Sequence, residues 1–267
     1  MDNFCYCLFY DNKKRNGGKT LIIRERKKDF IFIEQHHHAT ISGKLYTFLK
    51  DEYVPQSPWG KAIEYAIIHH DRGWIPFDQT PFWNDKEQVP YDFTHFPAAP
   101  KTVLYKTGID QVEEYSAYAA LLCSKHYSLF MERHSDSYSK KFVEEERERR
   151  ERIITSVPDF DEEMFADHYK ILQFFDNLSL FICLNEPGRN EHPYFLKGIP
   201  LPASFGGNTL QLHWTSAEEI QLYPKIFHSK VRLELQQKRM IKKDILQNGL
   251  QKTYENANFE KVYYTVR

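Results

Sequence analysis

Histidine and aspartate side chains stand at separate points of the sequence where the neighbouring residues are apolar. His38 ends a run of three histidines, and His70-Asp71 follows a segment whose apolar residues fit one face of a helix. Asp176 lies inside a strongly apolar predicted helix, where a buried carboxylate is costly unless a cation compensates its charge. Imidazole and carboxylate ligands without cysteine suit zinc, manganese, iron or nickel. The pattern favours a metal site built from several helices.

His126 is a further polar residue on an apolar stripe, in a helix predicted over residues 110–134. A single histidine in such a position is more often a core residue whose hydrogen bonds are satisfied. Polar residues of this kind on four of the predicted helices nevertheless favour one shared site, so we include His126 with the others.

Helices must bring these residues together, and hydrophobic periodicity predicts them in the middle of the chain. The predicted helices cover residues 35–54, 59–70, 110–134, 138–154 and 160–185, with a polar helix at 241–255. The predicted strands cover residues 4–10, 21–33, 209–214, 219–223, 230–235 and 261–266. We therefore expect a mainly α fold with one domain over residues 1–267. Residues 35–185 form its helical core, and strands from 1–33 and 205–267 share a small antiparallel sheet.

The segment that follows His70-Asp71, residues 74–100, is rich in proline and aromatic residues and shows little periodicity. A loop of that length in a compact protein usually has a function, and its first residues must lie near the predicted metal site. We expect it to cover that site, with Asp78 and Asp92 either orienting a bound water or capping turns. The alternative is that its aromatic residues only seal the helical core.

Composition sets the outer limits of the function. With 36 basic and 37 acidic residues the formal net charge is −1, which disfavours long nucleic acids as partners. No apolar stretch is long enough to predict a membrane span. The four cysteines have no framework spacing, and Cys5 and Cys7 are explained more simply as one face of a strand than as a metal site. We expect a cytoplasmic protein.

The order His, His-Asp and a later Asp resembles the HD-domain superfamily of metal-dependent phosphohydrolases. Four motifs are more closely similar to a functionally uncharacterised bacterial branch of that superfamily: Gln35-x-x-His38-Ala39, His70-Asp71-x-Gly73-Trp74, Ser124-x-His126 and Asp176-x-Leu178-Ser179-Leu180. The segment Pro90-Tyr91-Asp92-Phe93 also resembles it. The resemblance covers residues 35–185 by motif and implies an HD-type helical domain there.

The resemblance implies a first divalent metal ion, whose ligands would be His38, His70, Asp71 and Asp176. It gives Asp71 the position of a residue able to bridge two ions, so one or two ions of manganese, zinc, iron or nickel are expected per chain. Among the three consecutive histidines, His38 has the spacing of the motif and His37 is the rival ligand.

The resemblance also bears on a second metal ion. His126 occupies the place where two-metal members carry an extra ligand, and where one-metal members carry a residue that contacts phosphate. His95 lies between the Asp71 and His126 segments, where two-metal members often have another ligand, but it falls in the proline-rich loop. We therefore favour His126 over His95 as a ligand of a second ion.

The function that the resemblance favours is hydrolysis of a small phosphorylated substrate by a metal-activated water. A metal ion lowers the pKa of its bound water from about 15.7 to about 7. Asp71 is the predicted proton acceptor, and His126 or Lys125 is predicted to stabilise the developing charge. The substrate stays open between a nucleotide, a cyclic dinucleotide and a phosphorylated metabolite. Two alternatives stay open as well, namely a di-iron oxygenase of the HD type and a non-catalytic metal-stabilised binding module.

Overall fold

The computed structural model describes residues 21–267, so the strand predicted at 4–10 and the pair Cys5 and Cys7 lie outside the described residues. The helices are α1 (Gln35–Tyr46), α2 (Gly60–His69), α3 (Ile75–Gln79), α4 (Ala98–Glu113), α5 (Ala117–Met131), α6 (Ser137–Ser156), α7 (Glu162–Leu184), α8 (Lys242–Asn248) and α9 (Leu250–Asn256). The strands are β1 (Ile22–Glu25), β2 (Asp29–Ile33), β3 (Trp83–Asn84), β4 (Val89–Pro90), β5 (Ile199–Pro200), β6 (Thr209–Trp214), β7 (Glu219–Tyr223), β8 (Val231–Ile241) and β9 (Phe259–Val266). A short 3-10 helix, Arg72–Trp74, joins α2 to α3.

A seven-stranded mixed sheet runs in the order β1-β2-β8-β9-β7-β6-β5, and β3 and β4 form a separate pair. Its neighbouring strands are antiparallel except for β7 and β9, which run parallel. The expectation of a mainly α fold, with an HD-type helical domain and a small antiparallel sheet, is therefore wrong. Periodicity detects single strands, but it does not show that β8 continues to Ile241 and pairs with β2 on one side and β9 on the other.

Strand β2 is buried on both of its faces, which explains its unbroken apolar sequence. Ile31 and Ile33 belong to the main hydrophobic core together with residues of the large helices. Phe30 and Phe32 point the other way, into a second core that includes Tyr254 of α9. The part of the sheet formed by β1, β2 and β8 therefore lies between the large helices and the pair α8 and α9. The assignment of residues 1–267 to one domain stays a prediction.

Four helices, α1, α2, α5 and α7, pack against one another within the main core. Helix α1 carries His38, α5 carries His126 and α7 carries Asp176, while His70 and Asp71 directly follow α2. The mutual packing of these helices brings together residues that are far apart in the sequence.

The helix predicted over residues 110–134 is in fact the end of α4 followed by α5. Ser116 separates the two helices and caps α5, because its side-chain oxygen accepts a hydrogen bond from the backbone N–H of Ala119. Helix α4 begins at Ala98, inside the segment predicted to be irregular. Pro100 is tolerated in its first turn, where a backbone N–H would have no partner within the helix. In the part of the chain that the structure describes, no helix combines the length and apolarity needed to cross a bilayer.

Two glycines allow α4 to approach the segment that follows Asp71. A Cβ atom on Gly73 would lie 2.3 Å from the backbone oxygen of Leu104, and one on Gly108 would lie 2.6 Å from the backbone nitrogen of Gly73. Both distances are shorter than any real contact, and the opposing atoms belong to the backbone, so a side chain at either position would push the two segments apart.

Candidate metal centre

The side chains of five predicted site residues form two overlapping groups. One group contains His38, His70 and Asp71, and the other contains His70, His126 and Asp176. Within each group the potential ligand atoms lie within 4.8 Å of one another, and every member is buried. The described residues therefore include buried histidine and aspartate groups able to hold a metal ion.

The three consecutive histidines point to three different places. The His38 side chain enters the cluster, where its Nε2 atom lies 2.8 Å from Oδ2 of Asp71. The His36 ring stacks on that of His69, with ring centroids 5.8 Å apart. The Nε2 atom of His37 accepts a hydrogen bond of 2.9 Å from the backbone N–H of Gln236 in β8. This divergence follows from the angle of about 100° between successive side chains on a helix.

His38 is oriented by a hydroxyl group on α7. Its Nδ1 atom lies 2.7 Å from Oγ of Ser179, and Ser179 itself donates to the backbone oxygen of Asp176. The Ser179 oxygen accepts from the hydroxyl of Ser42 at 2.8 Å, and its second lone pair can accept the Nδ1–H of His38. With the proton on Nδ1, the Nε2 lone pair faces an oxygen of Asp71, and the two atoms must share a proton or a metal ion. A histidine whose second nitrogen is fixed by a hydrogen bond is typical of metal ligands.

His70 has the same arrangement at the end of α2. Its Nδ1 atom donates to the backbone oxygen of Ile67 at 2.8 Å, and its Nε2 atom is buried without a hydrogen-bond partner. Oδ1 of Asp176 lies 3.4 Å from Nε2 and Oδ2 of Asp71 lies 3.8 Å from it. Burial lowers the pKa of His70, but the two carboxylates outweigh burial and raise it to about 9. The carboxylates therefore favour a cation at this nitrogen.

The two carboxylates stay ionised although they are buried. Burial raises the pKa of Asp71, but His70 and His38 outweigh this effect and lower it to about 2. Burial likewise raises the pKa of Asp176, and the neighbouring His70 more than reverses the shift. The hydroxyl of Tyr127 donates to Oδ1 of Asp71 at 3.1 Å and fixes the orientation of that carboxylate. The sequence does not indicate this role of Tyr127, because the contact with Asp71 depends on how α5 packs against α2.

His126 completes the second group from α5. Its Nε2 atom lies 3.8 Å from Oδ2 of Asp176, and its ring lies edge-on to that of His70 with centroids 5.3 Å apart. Burial is the largest influence on His126 and lowers its pKa to about 4, so its imidazole is neutral at pH 7. The neutral imidazole is the form that binds metal ions.

Asp78 and Asp92 have structural roles in the segment after the cluster. Both oxygens of Asp78 accept backbone N–H groups at the start of α1, from Gln35 at 2.9 Å and His36 at 3.0 Å. Asp78 thereby fixes the first turn of the helix that carries His38, and burial raises its pKa well above the usual value. Asp92 accepts the backbone N–H of His95 at 3.1 Å and also lies 3.0 Å from Nδ1 of that residue. Within residues 21–267, His95 belongs to neither ligand group.

A small cavity of about 20 Å³ adjoins the cluster. It has room for one water molecule or ion. His38, Asp71, His126 and Asp176 line it together with aromatic side chains that include Trp74 and Phe93. The side-chain oxygen of Gln35, another lining residue, is buried without a hydrogen-bond partner. A buried acceptor without a partner is rare, and it fits a cavity that receives a polar ligand.

Lys125 is not brought to this cavity. It lines a separate cavity of about 530 Å³ between α5, α6 and α7. The structure thus groups two of the three predicted catalytic residues, Asp71 and His126, and places the third elsewhere.

A family model described as "Protein of unknown function (DUF3891)" matches residues 21–242. The chain belongs to this family. The matched range includes every residue of the two ligand groups, so the cluster lies within the part that defines the family. No match was found among curated proteins or among solved structures.

Proposed function

We propose that the protein is a metal-dependent hydrolase of small phosphoesters. The observation that carries the proposal is the position of His70, whose Nε2 is buried between the carboxylates of Asp71 and Asp176 and which belongs to both ligand groups. The resemblance of the motifs around these residues to HD-domain phosphohydrolases supports the same activity.

The donor set fits a divalent metal ion. It contains three imidazoles and two carboxylates and no sulfur, a combination suited to manganese, zinc, iron or nickel. His38 and His70 have their Nδ1 atoms fixed by hydrogen bonds, which leaves Nε2 of each directed into the cluster. We propose one or two ions per chain, with His38, His70, Asp71 and Asp176 at the first and His126 at the second.

A divalent ion in this position would supply Lewis-acid chemistry, polarising a phosphoryl oxygen and making a water molecule more acidic. Asp71 is the proposed proton acceptor, because its carboxylate is ionised and held by Tyr127. His126 is neutral and lines the same cavity, so it is placed to donate a hydrogen bond or to bind a second ion. Trp74 and Phe93 limit access of bulk water to that cavity.

We do not propose the oxygenase alternative. The observation that would favour it is His95 acting together with His126, and His95 instead lies against Asp92.

The test is hydrolysis of a panel of phosphoesters, including 4-nitrophenyl phosphate, nucleoside monophosphates and a cyclic dinucleotide. We expect turnover of at least one substrate after loading with manganese, zinc, iron or nickel, and loss of turnover with a chelator. Asp71→Asn should abolish turnover, whereas His36→Ala, whose ring lies outside the cluster, should retain it. A metal-loaded protein that hydrolyses no member of the panel would count against the proposal.

A further inference from the structure

A second cavity near the metal centre lies between α5, α6 and α7. Its volume of about 530 Å³ is in the range typical of small-molecule sites. No residue of the two ligand groups lines it. The cavity therefore has the size of a ligand site without being the metal centre itself.

The charged side chains around this cavity are mainly basic, with five basic and two acidic residues in its lining. Arg150 is held in place because its Nη1 atom donates to the hydroxyl oxygens of Ser124 at 3.0 Å and Ser128 at 2.7 Å, both of which are neutral. Lys125, one turn of α5 from Leu129, lines the same cavity. The charge of Arg147 is compensated by acidic neighbours on α6. Acidic residues also act on Arg150, but its hydrogen bonds to the two serines fix it at the cavity, so Lys125 and Arg150 are the cations that we consider for an anion.

The other part of the lining is apolar. Ile154, near the end of α6, lines the cavity together with Phe160 and Phe165, which flank the start of α7. The Phe160 and Phe165 rings pack against each other with centroids 5.6 Å apart. Phe165 also meets the ring of Tyr118 at the start of α5, with centroids 6.1 Å apart. One part of the cavity is therefore suited to an apolar group and another to a negative charge.

The cavity lies next to the metal centre. Lys125 precedes His126 on α5, and Tyr169, which lines the cavity, has its ring 6.5 Å from the ring of His126. Gln173 also lines the cavity, one helical turn before Asp176 on α7. Tyr169 and Gln173 are both buried, and they line the cavity on the side of His126 and Asp176.

We propose that this cavity binds a small organic anion in which one acidic group is attached to an apolar ring or chain. Lys125 and Arg150 would hold the acidic group, while Ile154, Phe160 and Phe165 would contact the apolar part. This site is additional to the proposed hydrolase centre and does not require hydrolysis.

The test is a fluorescence titration of the full chain with 1-anilinonaphthalene-8-sulfonate, an aromatic anion, and with the uncharged N-phenyl-1-naphthylamine. We expect saturable binding of the anion at one site per chain. Lys125→Ala should lower the affinity for the anion about fivefold and leave the affinity for the uncharged probe unchanged, because only the anion forms a charge-assisted hydrogen bond. Glu162→Gln should raise the affinity for the anion about twofold, since it removes an exposed negative charge from the lining of the cavity.

Lys141→Ala is the matched control, because Lys141 lies on α6, is 76% exposed and does not line the cavity. If Lys125→Ala and Glu162→Gln both behave like this control, or if the wild-type protein does not bind the anion saturably, the proposal is wrong. Glu162 is exposed, so this variant keeps the test decisive even if Lys125→Ala loosens the fold. The titration is repeated with a chelator present. The anion should still bind when the chelator is present, whether or not the hydrolase proposal is correct. Loss of anion binding in the presence of the chelator would show that the anion does not bind in this cavity.

Discussion

Oδ2 of Asp71 lies 2.8 Å from Nε2 of His38, although 33 residues separate them in the sequence. His38 is on α1 and Asp71 follows α2, and the two helices pack against each other. The contact joins an imidazole whose other nitrogen is fixed by Ser179 to a carboxylate fixed by Tyr127. Two oriented groups at this distance form part of the cluster that could hold a metal ion.

The first prediction concerns which of the three consecutive histidines binds the metal ion. His38→Ala should lose metal, because it removes a nitrogen from the cluster, whereas His36→Ala should retain it because that ring stacks on His69. His37→Ala should also retain metal, because this variant loses only the hydrogen bond between His37 and the backbone of Gln236 in β8. The measurement is metal content per chain after loading and desalting. Equal metal loss in the His36 and His38 variants would contradict the assignment.

The second prediction concerns pH. The pKa of His70 is raised from 6.5 to about 9, so below about pH 9 a proton occupies the nitrogen that the metal must bind. Metal affinity should therefore rise by up to about tenfold per pH unit between pH 7 and 9, and level off above that. Competition with a chelator of known affinity at several pH values measures this. An affinity that does not change between pH 7 and 9 would show that no proton is displaced at His70.

The third prediction tests the close approach of α4 to the segment after Asp71. Gly108→Ala should destabilise the protein by about 1–3 kcal/mol, because the added Cβ would meet the backbone of Gly73. Gly60→Ala is the matched control, since a Cβ there has no atom within 4 Å and the position begins α2. Urea unfolding gives the free energies. Comparable losses in both variants would mean that the effect is not steric.

The fourth prediction concerns a buried carboxylate on α6. Glu146 is 1% exposed and burial raises its pKa, while Nε of Arg149 donates to it at 3.1 Å. Arg149 also pairs with Asp110 and Glu113 of α4. Arg149→Met should cost about 3 kcal/mol of unfolding free energy, because it leaves Glu146 buried without its cation.

Arg152→Met is the control for that variant. The Arg152 side chain is 62% exposed and pairs with Glu113, so its loss should cost less than about 1 kcal/mol. Equal effects in chemical unfolding would mean that the Arg149 network contributes no more than a surface ion pair.

The sequence predicts the parts of this structure that depend on local pattern. The bounds of β6 and β7 agree with the alternation of apolar and polar residues, and the apolar run around Asp176 does form a long helix, α7. The sequence does not predict the size of the sheet, because strand pairing is a long-range property. The predicted helix over residues 110–134 combined the end of α4 with α5. A serine at an N-cap is a weak signal inside a run of helix-forming residues, so the break at Ser116 was not predicted.

Some features of the candidate site can likewise be predicted from the sequence, and others cannot. Burial of His70 and Asp176 agrees with apolar neighbours that are visible in the sequence, whereas His38 follows two other histidines and its burial is not indicated in this way. The bond of Tyr127 to Asp71 and the capping of α1 by Asp78 depend on how separate elements pack, so no local pattern indicates them. The choice between two roles for Asp78 was open in the sequence, and its contacts in the structure are those of a helix cap.

We propose that the cluster around His70 holds a metal ion, and elemental analysis of the purified protein provides the decisive measurement. The protein is loaded with manganese, zinc, iron or nickel in turn and freed of excess metal, and the bound ions are counted per chain by mass spectrometry. We expect one or two ions per chain in the wild type and a loss in His70→Ala. We also expect a lower melting temperature after chelation, because an ion bound only by the folded state stabilises it. A wild-type protein that retains less than about a tenth of an ion per chain with all four metals would contradict the account.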